Sequence, residues 1–380
     1  MSAQITRVEV FHFRHPLAAP VTTVMGPMVA RPALLIRVED ADGAAGWGEI
    51  WCNFPPDGDF HRARLAGNIL PAALRGLTGE EPAPFDVITT RLRRLAIQAG
   101  EPGPVSQIAG AADIALHDLR ARRQGVPLAV LLGGTARPVP AYASGISPDK
   151  FEAQFERMRA KGYRRFKQRI GFGKDDGLAE LKAAAAQLRE GETMMCDANQ
   201  AWDADTAIAR LDRIVPLGMT WLEEPIPADD PLSDWSRVAQ ASGIPLAGGE
   251  NFGTRHQFAE GIASGAYGFI QPDICKWGGL SGGASVAREA LAAGLTYCPH
   301  FLGGGVGLIA SAHLLAAVGG DGLLEVDSSE NPLLDHFSGR GLSLEDGAFP
   351  VLDRPGLGYD PDVAGASDRM VSHTEGQVAR

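Results

Sequence analysis

Cysteine is scarce in this sequence, and no two cysteines form a motif. The four cysteines among 380 residues are Cys52, Cys196, Cys275 and Cys298, and none lies in a CxxC pair. This scarcity argues against a disulfide framework and against a structural zinc site, and it fits a reducing compartment. We therefore predict a soluble, cytoplasmic protein.

Long apolar runs and basic clusters are also absent. Charged residues run through the N-terminal MSAQITRVEVFHFRH, which does not have the pattern of a signal peptide. The most apolar run, residues 307–319, is interrupted by His313 and is too short to span a bilayer. The net charge is −11, with no basic cluster to follow a phosphate backbone. We expect neither a membrane nor a nucleic acid as a partner.

The composition that remains is typical of a soluble globular protein, with 45% hydrophobic and 21% charged residues. The length suits one large domain and a smaller one. In the first 132 residues, alternation over 4–12 predicts a strand and the pattern over 33–51 predicts a hairpin. The small residues Val21–Ala30 indicate a flexible loop, and helical patterns dominate 61–132. This part is predicted to be an α+β domain.

After GGTARP (133–138), short apolar runs alternate with amphipathic helical stretches. The eight runs are VPAYAS (139–144), RRFKQRI (164–170), TMMCDAN (193–199), MTWLEEP (219–225), IPLAGGE (244–250), YGFIQPD (267–273), LTYCPH (295–300) and GLLEVD (322–327). This even period predicts a closed (β/α)8 barrel over 133–345, whereas an open doubly wound sheet usually has a Gly-rich first turn that is missing here. The chain from 346 to 380 is irregular, and its polar end after Ala366 is a candidate for disorder.

The predicted strands of six successive runs, the third to the eighth, end at an ionisable residue: Asp197, Glu223, Glu250, Asp273, His300 and Glu325. Their separations are 26, 27, 23, 27 and 25 residues, so all six are expected at the C-terminal mouth of the barrel, where such folds hold their active sites. The first three are neighbouring carboxylates, which need a counter-ion to stay ionised together. Isolated surface acids would not recur in phase, and hard oxygen ligands suit Mg²⁺.

The other ionisable residues predict acid–base chemistry. Asp273 and His300 are on adjacent strands, where the carboxylate would fix the imidazole tautomer of a general base; a structural histidine is the alternative. Lys167 and Arg169 are two residues apart, so both are expected to face into the barrel, where they would bind a substrate carboxylate and stabilise its dianion. We interpret Gly303–Gly305 as a close backbone approach rather than a phosphate-binding loop.

The combination of these motifs resembles a known family. The segments FKQRIGFG, MCDANQAW, WLEEP, GGENFGTR, IQPDICKWGG and CPHFLGGGVG, in this order, are similar to the mandelate racemase subgroup of the enolase superfamily. The resemblance continues in residues 108–134 and in PGLGYD (355–360), and so covers nearly the whole chain. It implies that the first 132 residues form a capping domain completed by residues 346–380. It also implies that 21–31 and roughly 51–60 close over the barrel mouth.

The resemblance also implies roles for individual residues. Asp197, Glu223 and Glu250 match Mg²⁺ ligands, Asp273 and His300 match the catalytic dyad, and Glu325 matches a position that hydrogen-bonds the substrate carboxylate; Lys167 and Arg169 are further catalytic candidates. The substrate-binding candidates are Asn199, Thr22 and Trp51. The muconate-lactonising branch is disfavoured because it would place a lysine at 273 and would lack the histidine at 300. Family members suggest a homo-oligomer, a dimer or an octamer.

One departure affects the expected reaction. The family motif is commonly Lys-x-Lys, in which the second lysine is a base, and this chain has Arg169 there. A guanidinium group does not accept a proton near neutral pH. We therefore expect a one-base reaction, the dehydration of an acid sugar to a 2-keto-3-deoxy acid. Opening of an acid-sugar lactone by a cycloisomerase, racemisation or epimerisation, and a catalytically inactive carboxylate-binding protein are the alternatives.

Overall fold

The N-terminal part of the chain is an antiparallel sheet covered by helices. The structure is a computed structural model that describes residues 3–23, 25–339, 342–345 and 347–379. The first three strands are β1 (Ile5–Thr23), β2 (Gly26–Asp40) and β3 (Ala45–Ile50). The helices that follow are α1 (Gly58–Ala73), α2 (Pro84–Ala99), α3 (Pro102–Gln124) and α4 (Leu128–Leu131). The sheet and α3 lie so close together that a Cβ atom on Gly46 or Gly48 would collide with the backbone of α3.

The predicted flexible loop at Val21–Ala30 is instead the tip of a long hairpin. Val21 pairs with Met28, and the ladder continues to the last pair before the turn. The prediction of a loop is therefore wrong for the described residues of this segment; Val24 lies outside them. The segment forms strands because Val and Thr have high strand propensity. Main-chain pairing with β2 extends β1 although few side chains are buried.

Eight parallel strands follow, one in each of the eight predicted runs. They are β4 (Val139–Ile146), β5 (Arg165–Arg169), β6 (Thr193–Asp197), β7 (Leu222–Glu223), β8 (Leu246–Gly248), β9 (Phe269–Ile270), β10 (Thr296–Tyr297) and β11 (Leu324–Asp327). The sheet order is β10-β9-β8-β7-β6-β5-β4-β11, so the eighth strand lies beside the first, as in a (β/α)8-type barrel. No ladder joins β10 to β11 in the described residues, and the parallel sheet is a curled one.

Helices alternate with these strands and cover the sheet. They are α5 (Phe151–Ala160), α6 (Leu178–Ala185), α7 (Ala204–Ile214), α8 (Leu232–Ala241), α9 (Arg255–Ala263), α10 (Gly279–Ala292) and α11 (Val306–Val318), followed by α12 (Pro332–Phe337). Short 3-10 turns occur at Lys174–Gly177, Val215–Leu217 and Ser367–Arg369. Within the described ranges, no helix has both the length and the apolar character needed to cross a membrane.

The interior of the curled sheet is filled below the ionisable residues. Tyr142, Met195, Trp221, Ala247 and Cys298, from five of the eight apolar runs, form a separate buried cluster. The Tyr142 and Trp221 rings meet edge to face, with their centroids 5.4 Å apart. This layer fills the barrel interior below the ionisable residues, which lie towards the C-terminal ends of the strands. All four cysteines are buried and free, which agrees with the predicted absence of disulfides.

The C-terminal segment returns to the first sheet, as the resemblance implied. β12 (Ala348–Phe349) pairs with β4, and β13 (Met370–Gln377) pairs antiparallel with β1. The suggestion of disorder after Ala366 is therefore wrong for β13. Main-chain hydrogen bonds to β1 order this polar edge strand without burying its side chains. The domain limits at 132/133 and 345/346 stay predictions.

Two buried ionic residues join the capping sheet to the barrel. The Glu49 carboxylate of β3 accepts hydrogen bonds from the N–H groups of Gly304 and Gly307 at the start of α11, the second at 2.8 Å. Arg31 of β2 forms an ion pair with Asp327 at 3.1 Å. A Cβ atom on Gly304 would collide with Ala33 of the capping sheet. The glycine run therefore permits a close backbone approach, as predicted, and Glu49 occupies its N–H groups.

The Glu49 junction predicts a pH-dependent stability. Burial raises the pKa of Glu49 to about 7 despite the two N–H donors. The pKa of Glu49 in the unfolded chain is near 4.5. The stabilising contribution of Glu49 is therefore fully present below about pH 4.5, and it is lost as the pH rises to about 7. We expect Glu49→Gln to gain about 3 kcal/mol of unfolding free energy relative to wild type between those limits. Urea unfolding at several pH values measures this; Glu190→Gln, at an exposed glutamate, is the control. A constant difference between Glu49→Gln and wild type would contradict the prediction.

Candidate active site

The ionisable ends of the barrel strands meet at one cavity. Asp197 at the end of β6 is directly paired with Glu223 of β7, and Glu250 follows β8. The cavity has a volume of about 290 Å³ and is lined by Asp197, Glu250, His300 and Glu325 together with capping residues. The prediction that the barrel mouth gathers these side chains therefore agrees with their placement. Their chemical roles stay predictions.

Lys167 lies at the centre of the carboxylates. Its ammonium nitrogen contacts Glu223, lies 2.9 Å from Glu325 Oε1 and 3.5 Å from Asp197 Oδ2. Burial alone would lower the pKa of Lys167, but the charges of Glu223 and Glu325 outweigh it and raise that pKa well above its usual value. Burial and the neighbouring carboxylates raise the pKa of Glu223 to about 8, although Lys167 opposes them. The single positive charge of Lys167 is thus shared among three carboxylates and does not neutralise them all.

Glu223 is also held by two donors that the sequence analysis missed. The indole N–H of Trp221 donates to Glu223 Oε2 at 2.8 Å, and the Gln271 amide donates to the same oxygen at 2.7 Å. Both residues are two positions before a site carboxylate, Glu223 and Asp273 respectively. Since side chains two apart on a strand share a face, this spacing was the available signal. Trp221 thus both packs against Tyr142 and donates a hydrogen bond to Glu223.

The donor set of Asp197, Glu223 and Glu250 fits a hard divalent cation by its chemistry. The three residues are buried, follow neighbouring strands and offer only carboxylate oxygens, the ligands that Mg²⁺ prefers. In the described residues, no three acidic, histidine or cysteine side chains converge on one point. Lys167 and His300 contact the oxygens instead. The raised pKa values of Asp197 and Glu223 indicate a cluster that one further cation would stabilise.

His300 is placed as a dyad with Asp273. The Nδ1 atom of His300 lies 2.8 Å from Asp273 Oδ2, and Nε2 lies 2.6 Å from Glu250 Oε2. Burial would lower the pKa of His300, but Glu250, Glu325 and the hydrogen bond with Asp273 raise it well above its usual value. The Asp273 contact fixes the orientation of the imidazole, so that Nε2 is the atom directed to the cavity.

The two cations of β5 differ in their surroundings. Lys167 is buried, whereas Arg169, at the end of the strand, lines the cavity. Arg169 is close to Asp327; burial raises the pKa of Asp327, but the charges of Arg31 and Arg169 hold it below its usual value. On the other side of Lys167, Glu325 Oε2 accepts the N–H of Phe301 at 3.3 Å. Arg169 and Glu325 thus line the cavity, and the buried Lys167 contacts Glu325 beside it.

The predicted substrate-binding residues are only partly at the cavity. Asn199 lines it, and its main-chain N–H and side-chain amide donate to Asp197 at 2.8 and 2.9 Å. Trp51 lines it too. Thr22 is exposed, and its neighbour Thr23 faces the cavity instead, because successive side chains of a strand point to opposite faces. The capping wall is otherwise mainly apolar, with Met25, Trp51 and Phe54, and Phe301 and Leu302 of the barrel add further apolar lining.

A second network beside the site was not predicted. Glu224 is buried and accepts the Asn251 amide at 2.7 Å, while Asn251 Oδ1 accepts the Lys276 ammonium at 2.7 Å. Lys276 lines the cavity. Glu224 has φ of 35°, a strained conformation that often accompanies functional sites. Lys276 has no spacing signal in the sequence, because it lies in the loop after β9 rather than in the strand.

Comparison with known proteins identifies similar sequences along most of the chain. Residues 150–365 match the model described as enolase C-terminal domain-like, and residues 5–133 match the N-terminal domain of mandelate racemase / muconate lactonizing enzyme. The D-galactarolactone cycloisomerase of Agrobacterium fabrum is 29% identical over 373 residues, which cover 94% of this chain and 96% of that protein.

Two solved structures are similar to the fold described above. The crystal structure of a mandelate racemase/muconate lactonizing enzyme from Bordetella bronchiseptica RB50 is 43% identical, with a TM-score of 0.88, and the match covers 97% of this chain and 100% of that one. The L-talarate/galactarate dehydratase of Salmonella typhimurium LT2, liganded with Mg and L-lyxarohydroxamate, is 27% identical with a TM-score of 0.85. That match covers 99% of this chain and 95% of the dehydratase.

Proposed function

The chain belongs to the mandelate racemase / muconate lactonizing enzyme family of enolase-like proteins, and from this premise we propose that it is a Mg²⁺-dependent acid-sugar dehydratase. His300 takes the proton from the carbon next to the substrate carboxylate and passes it to the departing 3-hydroxyl group, which leaves as water. The product is an enol that tautomerises to a 2-keto-3-deoxy acid. The family includes dehydratases and a cycloisomerase of acid sugars among the relatives of this chain, which supports this substrate class.

The observation that carries the proposal is the asymmetry of possible bases around the cavity. His300, oriented by Asp273, is a good proton acceptor on one side. Arg169 on the opposite strand, β5, cannot serve as a base. Lys167 is held by three carboxylates. One base suffices for β-elimination, whereas racemisation needs a base on each face of the enolate.

Asp197, Glu223 and Glu250 are proposed to hold Mg²⁺, which when bound would neutralise the substrate carboxylate and stabilise the charge that develops on it. The chain's own residues contribute beside it. Lys167 supplies positive charge next to the carboxylate, and Glu325, at 2.9 Å from Lys167, fixes the ammonium group. A cation on Glu250 would compete with His300 for the carboxylate oxygen that now lies 2.6 Å from Nε2.

A cycloisomerase is the second candidate. The relative from Agrobacterium fabrum, a D-galactarolactone cycloisomerase, is similar over nearly the whole length of both chains, and one base also suffices for opening a lactone by elimination. The two reactions differ in mass balance, because the cycloisomerase product is an isomer of its substrate and the dehydratase product has lost water.

The deciding experiment is incubation of the Mg²⁺-loaded protein with mono- and dicarboxylic acid sugars and their lactones in D₂O. Semicarbazide detects a 2-keto-3-deoxy acid, and proton NMR detects isomers and exchange of the α-proton. We expect a keto product from one or two acid sugars. A lactone converted to an isomer of unchanged mass would replace the proposal by the cycloisomerase. Binding of acid sugars without α-exchange would instead indicate an inactive carboxylate-binding protein.

Arg169 offers a direct test of the one-base argument. Substituting lysine for Arg169 introduces an amine that, unlike guanidinium, can lose its proton within the cavity. We expect Arg169→Lys to produce the C2 epimer of the substrate, which wild type does not form, and to do so with incorporation of deuterium. Proton NMR in D₂O distinguishes the epimer from the dehydration product. Abundant epimer from wild type would contradict the one-base argument, as would a variant that dehydrates normally and forms no epimer.

A further inference from the structure

Two cations line the cavity on opposite sides. Arg169 ends β5, the second strand of the barrel, and Lys276 follows β9, the sixth. Strands four apart in an eight-strand ring are opposite one another, so the two cations lie across the mouth. Arg169 is beside Asp327, which supplies a negative charge on that side. Lys276 has a different environment, made by the capping segment that follows β3.

Lys276 is held in place by aromatic and polar contacts. Its ammonium nitrogen lies 4.8 Å from the centre of the Trp51 ring, within the range of a cation–π contact. On the far side, the Arg62 guanidinium lies 5.6 Å from a ring centre of the same indole. Asn251 Oδ1 accepts one hydrogen bond from Lys276 at 2.7 Å. The side chain is only 14% exposed. The long stem of a lysine is therefore fixed and its charged end is directed to the cavity.

Lys276 has two carboxylates near it, Glu250 and Glu224, but among the described residues it donates a hydrogen bond to neither. Glu250 is the nearest carboxylate, with Oε1 at 3.9 Å, and its Oε2 is already bound by His300 at 2.6 Å. An ammonium group has three N–H donors, and among the described residues Asn251 accepts one of them. The rest of the capping wall offers mainly apolar side chains such as Met25 and Phe54. A nearly buried ammonium in these surroundings is stabilised by an anionic ligand.

We propose that Lys276 binds the second carboxylate of a dicarboxylic acid sugar, and that the substrate class is therefore the aldaric acids rather than the aldonic acids. The inference rests on the proposed function, in which the first carboxylate lies at Lys167 and the α-proton at His300. The terminal CH₂OH group of an aldonic acid would leave the Lys276 charge without a counter-ion. Trp51 then acts as a platform that positions the ammonium group at the second carboxylate of the ligand.

The test compares matched substrates in three variants. Galactarate and D-glucarate are paired with galactonate and gluconate, which differ from them only in having CH₂OH in place of the terminal carboxylate. Lys276→Met keeps the stem that packs on Trp51 and removes the charge. We expect the ratio of kcat/KM for diacid over monoacid to fall by about 100-fold, the effect of losing one partner of a desolvated charge pair. Lys276→Arg should retain most of the preference, and Lys182→Met, on the exposed side of α6, should retain all of it.

Binding separates this inference from the proposed function. Calorimetric titration of Mg²⁺-loaded His300→Asn with galactarate, with and without Lys276→Met, measures the contact without turnover. If diacid binding depends on Lys276 but wild type dehydrates no acid sugar, the proposed dehydratase function is refuted and the proposed dicarboxylate site remains. If Lys276→Met lost the same binding affinity for diacid and for monoacid, the inference would be overturned, since Lys276 would then only position Asn251 and Glu250. A wild type that prefers monoacids would overturn it too.

Discussion

Substituting asparagine for His300 is expected to lower kcat for acid-sugar dehydration by about 10²- to 10⁴-fold, the usual contribution of a general base. The Asn side chain is smaller and retains an N–H that can donate to Asp273, which now lies 2.8 Å from the imidazole. It cannot take a proton from carbon. Exchange of the α-proton for deuterium should be lost to the same extent as product formation, because both depend on the same proton transfer.

The control for this variant is His256→Asn, which changes a histidine with a 78% exposed side chain on α9. It should leave kcat and α-exchange within experimental error of wild type. Calorimetry should show that His300→Asn still binds the acid sugar, since Lys167, Arg169 and Glu325 are unchanged. Residual α-exchange near the wild-type rate in His300→Asn would assign the base to another residue, and Lys167 would be the first to examine.

The barrel and its site were predictable because they depend on a repeated pattern. Each of the eight apolar runs contains a strand. Four of the six predicted residues, Asp197, Glu250, His300 and Glu325, line the cavity, and the other two, Glu223 and Asp273, contact Lys167 and His300 beside it. The hairpin tip at 21–30 was not predictable in the same way. Its side chains are largely exposed, so no hydrophobic alternation marks it, and main-chain pairing determines its structure. β13 was not predicted for the same reason, because its side chains are mostly exposed and main-chain pairing with β1 determines its structure.

The site was predictable at the level of residue type but not of contacts. Sequence spacing places Lys167 in the barrel, yet it does not indicate that its ammonium group lies among Glu223, Glu325 and Asp197. Spacing also cannot decide between Thr22 and Thr23, since the register of the hairpin determines which of the two faces the cavity. Lys276 depends on the packing of Trp51 from another domain. Such long-range contacts have no local signature in the chain.

From the position of Lys167 we expect the stability of the protein to depend on divalent metal. In Lys167→Met, the buried carboxylates of Glu223, Asp197 and Glu325 lose the ammonium group that contacts all three. We expect this variant to lose about 3–5 kcal/mol of unfolding free energy in EDTA, the usual effect of removing one partner of a buried ion pair. In Mg²⁺ the loss should be smaller, because a cation on Asp197 and Glu223 replaces part of the missing charge.

Urea unfolding of wild type and Lys167→Met, each in EDTA and in Mg²⁺, measures this coupling as a double cycle. Lys182→Met is the matched control and should respond to Mg²⁺ as wild type does. EDTA should also abolish turnover in wild type, and Mg²⁺ should restore it. The stability cycle adds what activity cannot show, namely that Lys167 and the metal neutralise the same carboxylates. If Mg²⁺ stabilised wild type and Lys167→Met equally, the metal would not share these ligands with Lys167, and the assignment of Asp197 and Glu223 would have to be abandoned.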